Sequence, residues 1–111
     1  MNAAPHRLQR RAEFVRVARE GRKIPMPGFV LQALARPDLG ACRVGFTVTR
    51  KVGNAVVRNR TKRRLREAAR LVLAGEGPAA DLVLVGRAGT RTQKFAALMQ
   101  DLTEALGRAG V

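Results

Sequence analysis

The chain has 111 residues and a formal net charge of +14, and all of its basic residues except Lys23, Lys51, Lys62 and Lys94 are arginines, which suit bidentate grips on phosphate. That length supports one small core and excludes two independent ones, so residues 1–111 are expected to form a single domain. No apolar run approaches the ~20 residues of a membrane span, the start lacks the apolar stretch of a secretory signal, and the lone Cys42 excludes an internal disulfide or a Cys-rich zinc site; the expectation is a cytoplasmic protein with no membrane partner.

The first ten residues carry Pro5, His6, Arg7 and Arg10 without apolar periodicity, which predicts a flexible basic arm over about residues 1–10. From residue 12 to 20, Phe14, Val15, Val17 and Ala18 fit a short helix stopped by Gly21. Pro25 and Pro27 then interrupt regular structure, with room for a short edge strand around residues 22–24. Phe29–Ala35 has the branched and aromatic character of a strand, and residues 36–40 have the Pro-Asp and Gly chemistry of a returning loop. Cys42, Val44, Phe46 and Val48 alternate with polar or small residues, which predicts a strand with one buried face. The two runs are expected to form an antiparallel hairpin.

Gly53 permits a tight turn and Asn54 is placed to cap a helix beginning at Ala55. Along that helix Val57, Thr61, Leu65, Ala68 and Val72 form one core-facing stripe, while Arg58, Lys62, Arg66 and Arg70 recur every four residues on another face, with Asn59 and Arg63 beside them. Arg60 and Arg64 fall nearer the flanks of the stripe, where their stems can lie over apolar surface. Residues 73–78 end the helix, residues 81–87 read as a buried central strand, and Thr92 is placed to cap a last helix with the stripe Phe95, Leu98 or Met99, Leu102 and Leu106. The order implies an α+β two-layer sandwich, with three helices on a mainly antiparallel four-stranded sheet.

Function is read from charge and from missing chemistry. Residues 50–70 hold nine bases against one acid and residues 1–23 hold seven against two, a concentrated field that marks a polyanion binder better than an evenly solvated surface. His6 and Cys42 lack an obvious catalytic partner, and the acids are scattered, each better explained as solvated, capping or ion-paired. No catalytic residue and no protein metal site are expected. A helix begun at Asn54 instead offers free amides and a positive dipole end to phosphate, followed by Arg58, Lys62, Arg63 and Arg66. Asn59 can both donate to and accept from a base edge or a 2′-hydroxyl. Each of these features has a structural counterpart: an Arg-rich helix can be a soluble face, Gly53 a plain turn residue and Phe14 a core aromatic.

The run Arg50-Lys51-Val52-Gly53-Asn54-Ala55-Val56-Val57-Arg58-Asn59-Arg60-Thr61-Lys62-Arg63 resembles the signature of the bacterial ribonuclease P protein component. Leu8, Phe14, Gly21 and residues 81–87 extend the resemblance over most of the chain. It implies a subunit of ribonuclease P that binds the catalytic ribonuclease P RNA and the 5′ leader of precursor tRNA, promotes removal of that leader, and needs no protein partner. The RNA would carry the active site and the Mg²⁺ would serve the RNA–protein holoenzyme. The resemblance nominates Arg50, Lys51, Asn54, Arg58, Asn59, Arg60, Lys62, Arg63 and Arg66 on and before the helix, and Phe14, Val30, Gln32 and Arg87 around a leader cleft. It also implies that the Arg-rich helix joins a parallel strand pair by a left-handed crossover, against the usual preference. Ala18 and Gln32 stand where many relatives place aromatics, which implies weaker stacking, at ~1–3 kcal/mol for each base stack lost. The rival from composition alone is a noncatalytic ribosomal or general RNA-binding protein; a stand-alone ribonuclease is a third reading, and it lacks candidate residues.

Overall fold

A computed structural model describes residues 6–38, 40–74 and 77–111. Five strands, β1 (His6–Arg7), β2 (Arg22–Pro25), β3 (Phe29–Ala35), β4 (Arg43–Val48) and β5 (Ala80–Gly86), form one sheet in the order β1-β4-β5-β3-β2. Four helices among the described residues, α1 (Arg11–Glu20), α2 (Ala55–Val72), α3 (Ala88–Thr92) and α4 (Phe95–Ala109), pack around it. The α+β class stands, with five strands in place of four and a short fourth helix.

The expected hairpin between β3 and β4 does not form. β5 lies between them, antiparallel to β3 and parallel to β4, so the sheet is mixed. The physical reason is burial: β5 is apolar on both faces and gains most from the central position, whereas β3 and β4 each tolerate a partly covered face. The parallel β4–β5 pair is joined through a single 3-10 turn (Arg50–Val52) and α2, as a parallel connection requires.

The arm expected over residues 1–10 is contradicted from His6 onward: β1 pairs in parallel with Arg43 and Val44, the Leu8 amide donates to the Val44 carbonyl at 3.0 Å, and Leu8 is buried. Residues 1–5 lie outside the described residues, as do Leu39 of the expected loop and residues 75–76 of the expected helix break. The start of the last helix also differs. Thr92 ends α3, and Lys94 is the N-cap of α4 without a side-chain cap.

Period-two alternation divides the sheet into two faces. Phe29, Leu31, Val44, Leu82 and Leu84 point into the main core, where Leu65, Ala68 and Ala69 of α2 and Leu98 and Leu102 of α4 cover them. Val83 faces the other way and joins Leu8 and Val17 in a second, smaller cluster under α1, with Phe14, Leu34 and Val85 packed against it. A helix of ten residues cannot cover that whole face. The uncovered remainder is where a cleft opens.

Candidate nucleic-acid interface

The cleft lies between α1 and the second face of the sheet. Its walls include Arg11, Phe14 and Ala18 from α1, Gln32 from β3, Thr47 from β4 and Val85 from β5, around a volume of about 480 Å³. Phe14 is fixed by close approach: a Cβ on Gly45 would lie 2.5 Å from the ring Cε1, so the glycine leaves the space the ring occupies. The aromatic therefore serves the small cluster with one side and the cleft with the other. Gln32 is half-buried and turned into the cleft, and Val30 stands two residues earlier on the same strand face.

α1 is held over the cleft by an ionic network that centres on Asp81, whose carboxylate is buried at the start of β5. Arg43 grips it with two bonds, Nε at 2.8 Å and Nη2 at 2.7 Å, and Arg36 Nη1 adds a third at 3.0 Å. Arg43 then reaches Glu13 of α1 through Nη1 at 2.9 Å. Glu13 also accepts the backbone amides of Gln9 and Arg10, satisfying two orphan donors at the helix start. These amide bonds first, and Arg43 after them, hold the Glu13 carboxyl below its ordinary value, while Asp81 holds Arg43 above its own. The sequence leaves Asp81 open as a solvated, capping or ion-paired acid and does not reveal that it ties three elements together. Beside it, burial, aided by the Asp81 charge, pushes the Cys42 thiol up to about 11.

The basic helix rises from the other side of the sheet. Gly53 has φ 156°, a region that disfavours side chains, and a Cβ there would meet Val57 Cγ1 at 2.7 Å. Asn54 Oδ1 accepts the Val57 amide at 3.0 Å and caps the helix as expected. Thr61, Leu65 and Ala68 of the expected stripe are buried, with Val57 and Val72 half-buried and Ala69 added. That registration exposes Asn59, Arg60, Arg63 and Arg66, leaves Lys62 half-buried, and sets Arg50 and Lys51 on the surface ahead of the helix.

Arg58, Arg64 and Arg87 each donate to backbone carbonyls. Arg58 Nη1 donates to the Gly53 carbonyl at 2.9 Å, folding back on the turn. Arg64 donates through Nε to the Thr90 carbonyl at 2.8 Å and through Nη2 to the Gln93 carbonyl at 2.6 Å, with its guanidinium carbon 5.6 Å from the Phe95 ring centroid. Arg87 lies beyond the end of β5, and its Nη1 donates to the Met26 carbonyl at 3.3 Å. Of the nominated residues, Phe14 and Gln32 line the α1 cleft, Val30 and Arg87 do not, and the rest belong to α2 and the turn ahead of it, on the other side of the sheet. A groove between β1 and α2, with Phe46 common to it and the cleft, was not anticipated, because β1 was read as part of a loose arm.

Among the described residues no cluster of three or more His, Cys, Asp or Glu is placed to hold a metal ion, and no helix is long and apolar enough to cross a membrane. The fold and charge define a class: a small, strongly basic α+β domain with an arginine-rich crossover helix and an open sheet face. A family model described as Ribonuclease P matches residues 3–110. The chain is 63% identical to the ribonuclease P protein component of Gluconacetobacter diazotrophicus, over 96% of this chain and 92% of that one, and 48% identical to that of Paramagnetospirillum magneticum, over 99% and 86%. Among solved structures it is similar to the RNase P protein of Staphylococcus aureus (TM-score 0.78, 26% identity, 94% of each chain) and to that of Thermotoga maritima (TM-score 0.75, 28% identity, 93% and 96%). The chain belongs to the ribonuclease P protein family. It is a subunit of an endoribonuclease holoenzyme that processes tRNA and has an RNA partner.

Proposed function

We propose that this chain, in the cytoplasm, docks on the catalytic ribonuclease P RNA through the exposed face of α2 and holds the single-stranded 5′ leader of precursor tRNA in the α1 cleft. The observation that carries the reading is the division of the basic helix: its buried stripe leaves Asn59, Arg60, Arg63 and Arg66 outward, while Phe14 and Gln32 line a separate cleft across the sheet. Arg50, Lys51 and Lys62 add positive charge near the exposed helix face. In the cleft Phe14 offers a stacking face and Gln32 a donor and an acceptor; beyond its walls Val30 adds apolar contact, with Arg87 at the far end of β5. Ala18 lines the same cleft without an aromatic face, so Phe14 carries the stacking. The RNA subunit would supply the catalytic groups and use Mg²⁺, and the protein would lower the Mg²⁺ requirement by screening phosphate repulsion.

Reconstitution tests this. Added protein should lower the Mg²⁺ concentration at which ribonuclease P RNA cleaves precursor tRNA and should favour substrates with a leader over mature tRNA. Phe14→Leu keeps apolar bulk under α1 and removes the aromatic face, so it should reduce the leader preference by roughly five- to a hundredfold, the worth of one stacked base. Equal affinity for leader-bearing and leaderless tRNA would overturn the cleft assignment.

A further inference from the structure

The groove between the β1 edge and α2 has a build that phosphate docking alone does not require. Its floor is apolar, made by Val44, Phe46 and Ala69, and its rim carries Arg7, Arg63, Arg66 and Arg70. We infer that this groove takes one unpaired nucleotide of the RNA partner, the base against the apolar floor and Arg7, and the adjoining phosphates on Arg63 and Arg66. This rests on the reading above that α2 meets RNA.

Three observations select a nucleotide. The groove measures about 290 Å³, just under the roughly 300–1,000 Å³ range of ligand pockets, so it suits a single flat ring system and is too small for a helix or a folded peptide. The guanidinium carbon of Arg7 lies 5.6 Å from the Phe46 ring centroid, so a planar cation is already held beside an aromatic ring at the rim. Unpaired bases stack on such guanidinium planes and on aromatic faces. The rim charge, finally, is available to an anion: Glu67 is the single acid, and Arg70 engages it through Nε at 3.1 Å and Nη2 at 2.6 Å, while Arg63 and Arg66 stay exposed and enter no ion pair among the described residues. An acidic peptide would satisfy the arginines and leave the flat apolar floor unused. A nucleotide satisfies both.

The two-residue strand β1 is what makes the groove. Its parallel pairing sets Arg7 level with Val44, opposite the exposed arginines of α2. The contact of α2 with RNA is thereby more than sequence-blind: it recognises a nucleotide that is out of the helical stack.

Nuclear magnetic resonance titration of the full ¹⁵N-labelled chain tests this with adenosine 5′-monophosphate and with ribose 5-phosphate at matched ionic strength. The nucleotide should bind roughly five- to a hundredfold more tightly than the base-free control, from the stacking of one base, and should shift amides of β1, β4 and the middle of α2. Arg7→Lys keeps the charge and removes the plane, so it should retain affinity for ribose 5-phosphate and lose the preference for the nucleotide. Equal affinity of the wild-type chain for both probes overturns the base site and leaves a plain anion site. Shifts confined to the α1 cleft overturn its location. Failure of the proposed function would show elsewhere, as absence of any stimulation of ribonuclease P RNA by the unmodified chain.

Discussion

Arg63 and Arg64 are neighbours in sequence and have opposite duties. A 3.6-residue repeat turns Arg63 outward with Arg60 and Arg66, and turns Arg64 toward the carbonyls of Thr90 and Gln93. Those carbonyls belong to α3 and the short link to α4, so Arg64 ties the crossover helix to the C-terminal half of the chain with two charged hydrogen bonds. Arg64→Ala should therefore lower the unfolding free energy by about 1–3 kcal/mol in urea denaturation, with little change in the salt dependence of RNA binding. Arg63→Ala should do the reverse, leaving the denaturation midpoint near wild type and reducing the slope of log affinity against log salt by about one. Similar behaviour of the two variants would contradict the division of the helix. The two arginines are indistinguishable by residue type; helical spacing sets Arg64 nearer the core stripe, and the tertiary structure supplies its carbonyl partners.

At the scale of elements, α1 is a short helix fastened at its first turn. Glu13 joins the amides ahead of the helix to Arg43, and Arg43 joins Glu13 to the buried Asp81 of β5. Because the folded chain holds Glu13 below its ordinary value of 4.5, the unfolded chain takes up the proton first as pH falls. The contribution of Glu13 is complete above the ordinary glutamate range and is lost as pH falls through its lowered folded value. Urea denaturation of wild type and Glu13→Gln across this range should show a stability gap near neutrality that closes under acid. A gap that widens on acidification would show that Glu13 does not anchor the helix through its charged form. The leader preference should weaken over the same range, since the cleft needs α1 seated on the sheet. Gly45 contributes to that seating by leaving room for Phe14, and so does the central placement of β5, which puts Val83 and Val85 under the helix.

At the scale of the whole molecule, the charge of +14 is concentrated on a body with a Cα radius of gyration of 12.9 Å. Counterion release then dominates RNA affinity. If about six phosphates are neutralised, affinity for ribonuclease P RNA should fall roughly a thousandfold between 50 and 200 mM salt, by analogy with duplex binding. Filter binding across that range checks it, and a shallow slope would argue against phosphate docking by α2. The charge acts at this scale without setting the fold: the main core is continuous apolar packing between sheet, α2 and α4, and the buried Asp81 carboxylate is matched by Arg36 and Arg43.

Features that depend on local spacing are legible in the amino-acid sequence alone. The Asn54 cap, the stripe through Thr61, Leu65 and Ala68, the outward Arg63 and Arg66, and the doubly buried strand after α2 all follow from periods of 3.6 and 2 and from cap chemistry, whereas Arg60, expected at the flank of the stripe, is exposed. The signature run also made the family legible. Which strands are neighbours is set by long-range packing, because alternation specifies the face a residue takes and says nothing of the strand beside it. β5 therefore separates two runs that sequence order suggested as a hairpin, and a two-residue strand appears where composition suggested a loose arm. The same holds for the Arg43–Asp81–Glu13 network, the inward role of Arg64 and the groove under Arg7. Each joins residues more than twenty positions apart, and no local period records such contacts.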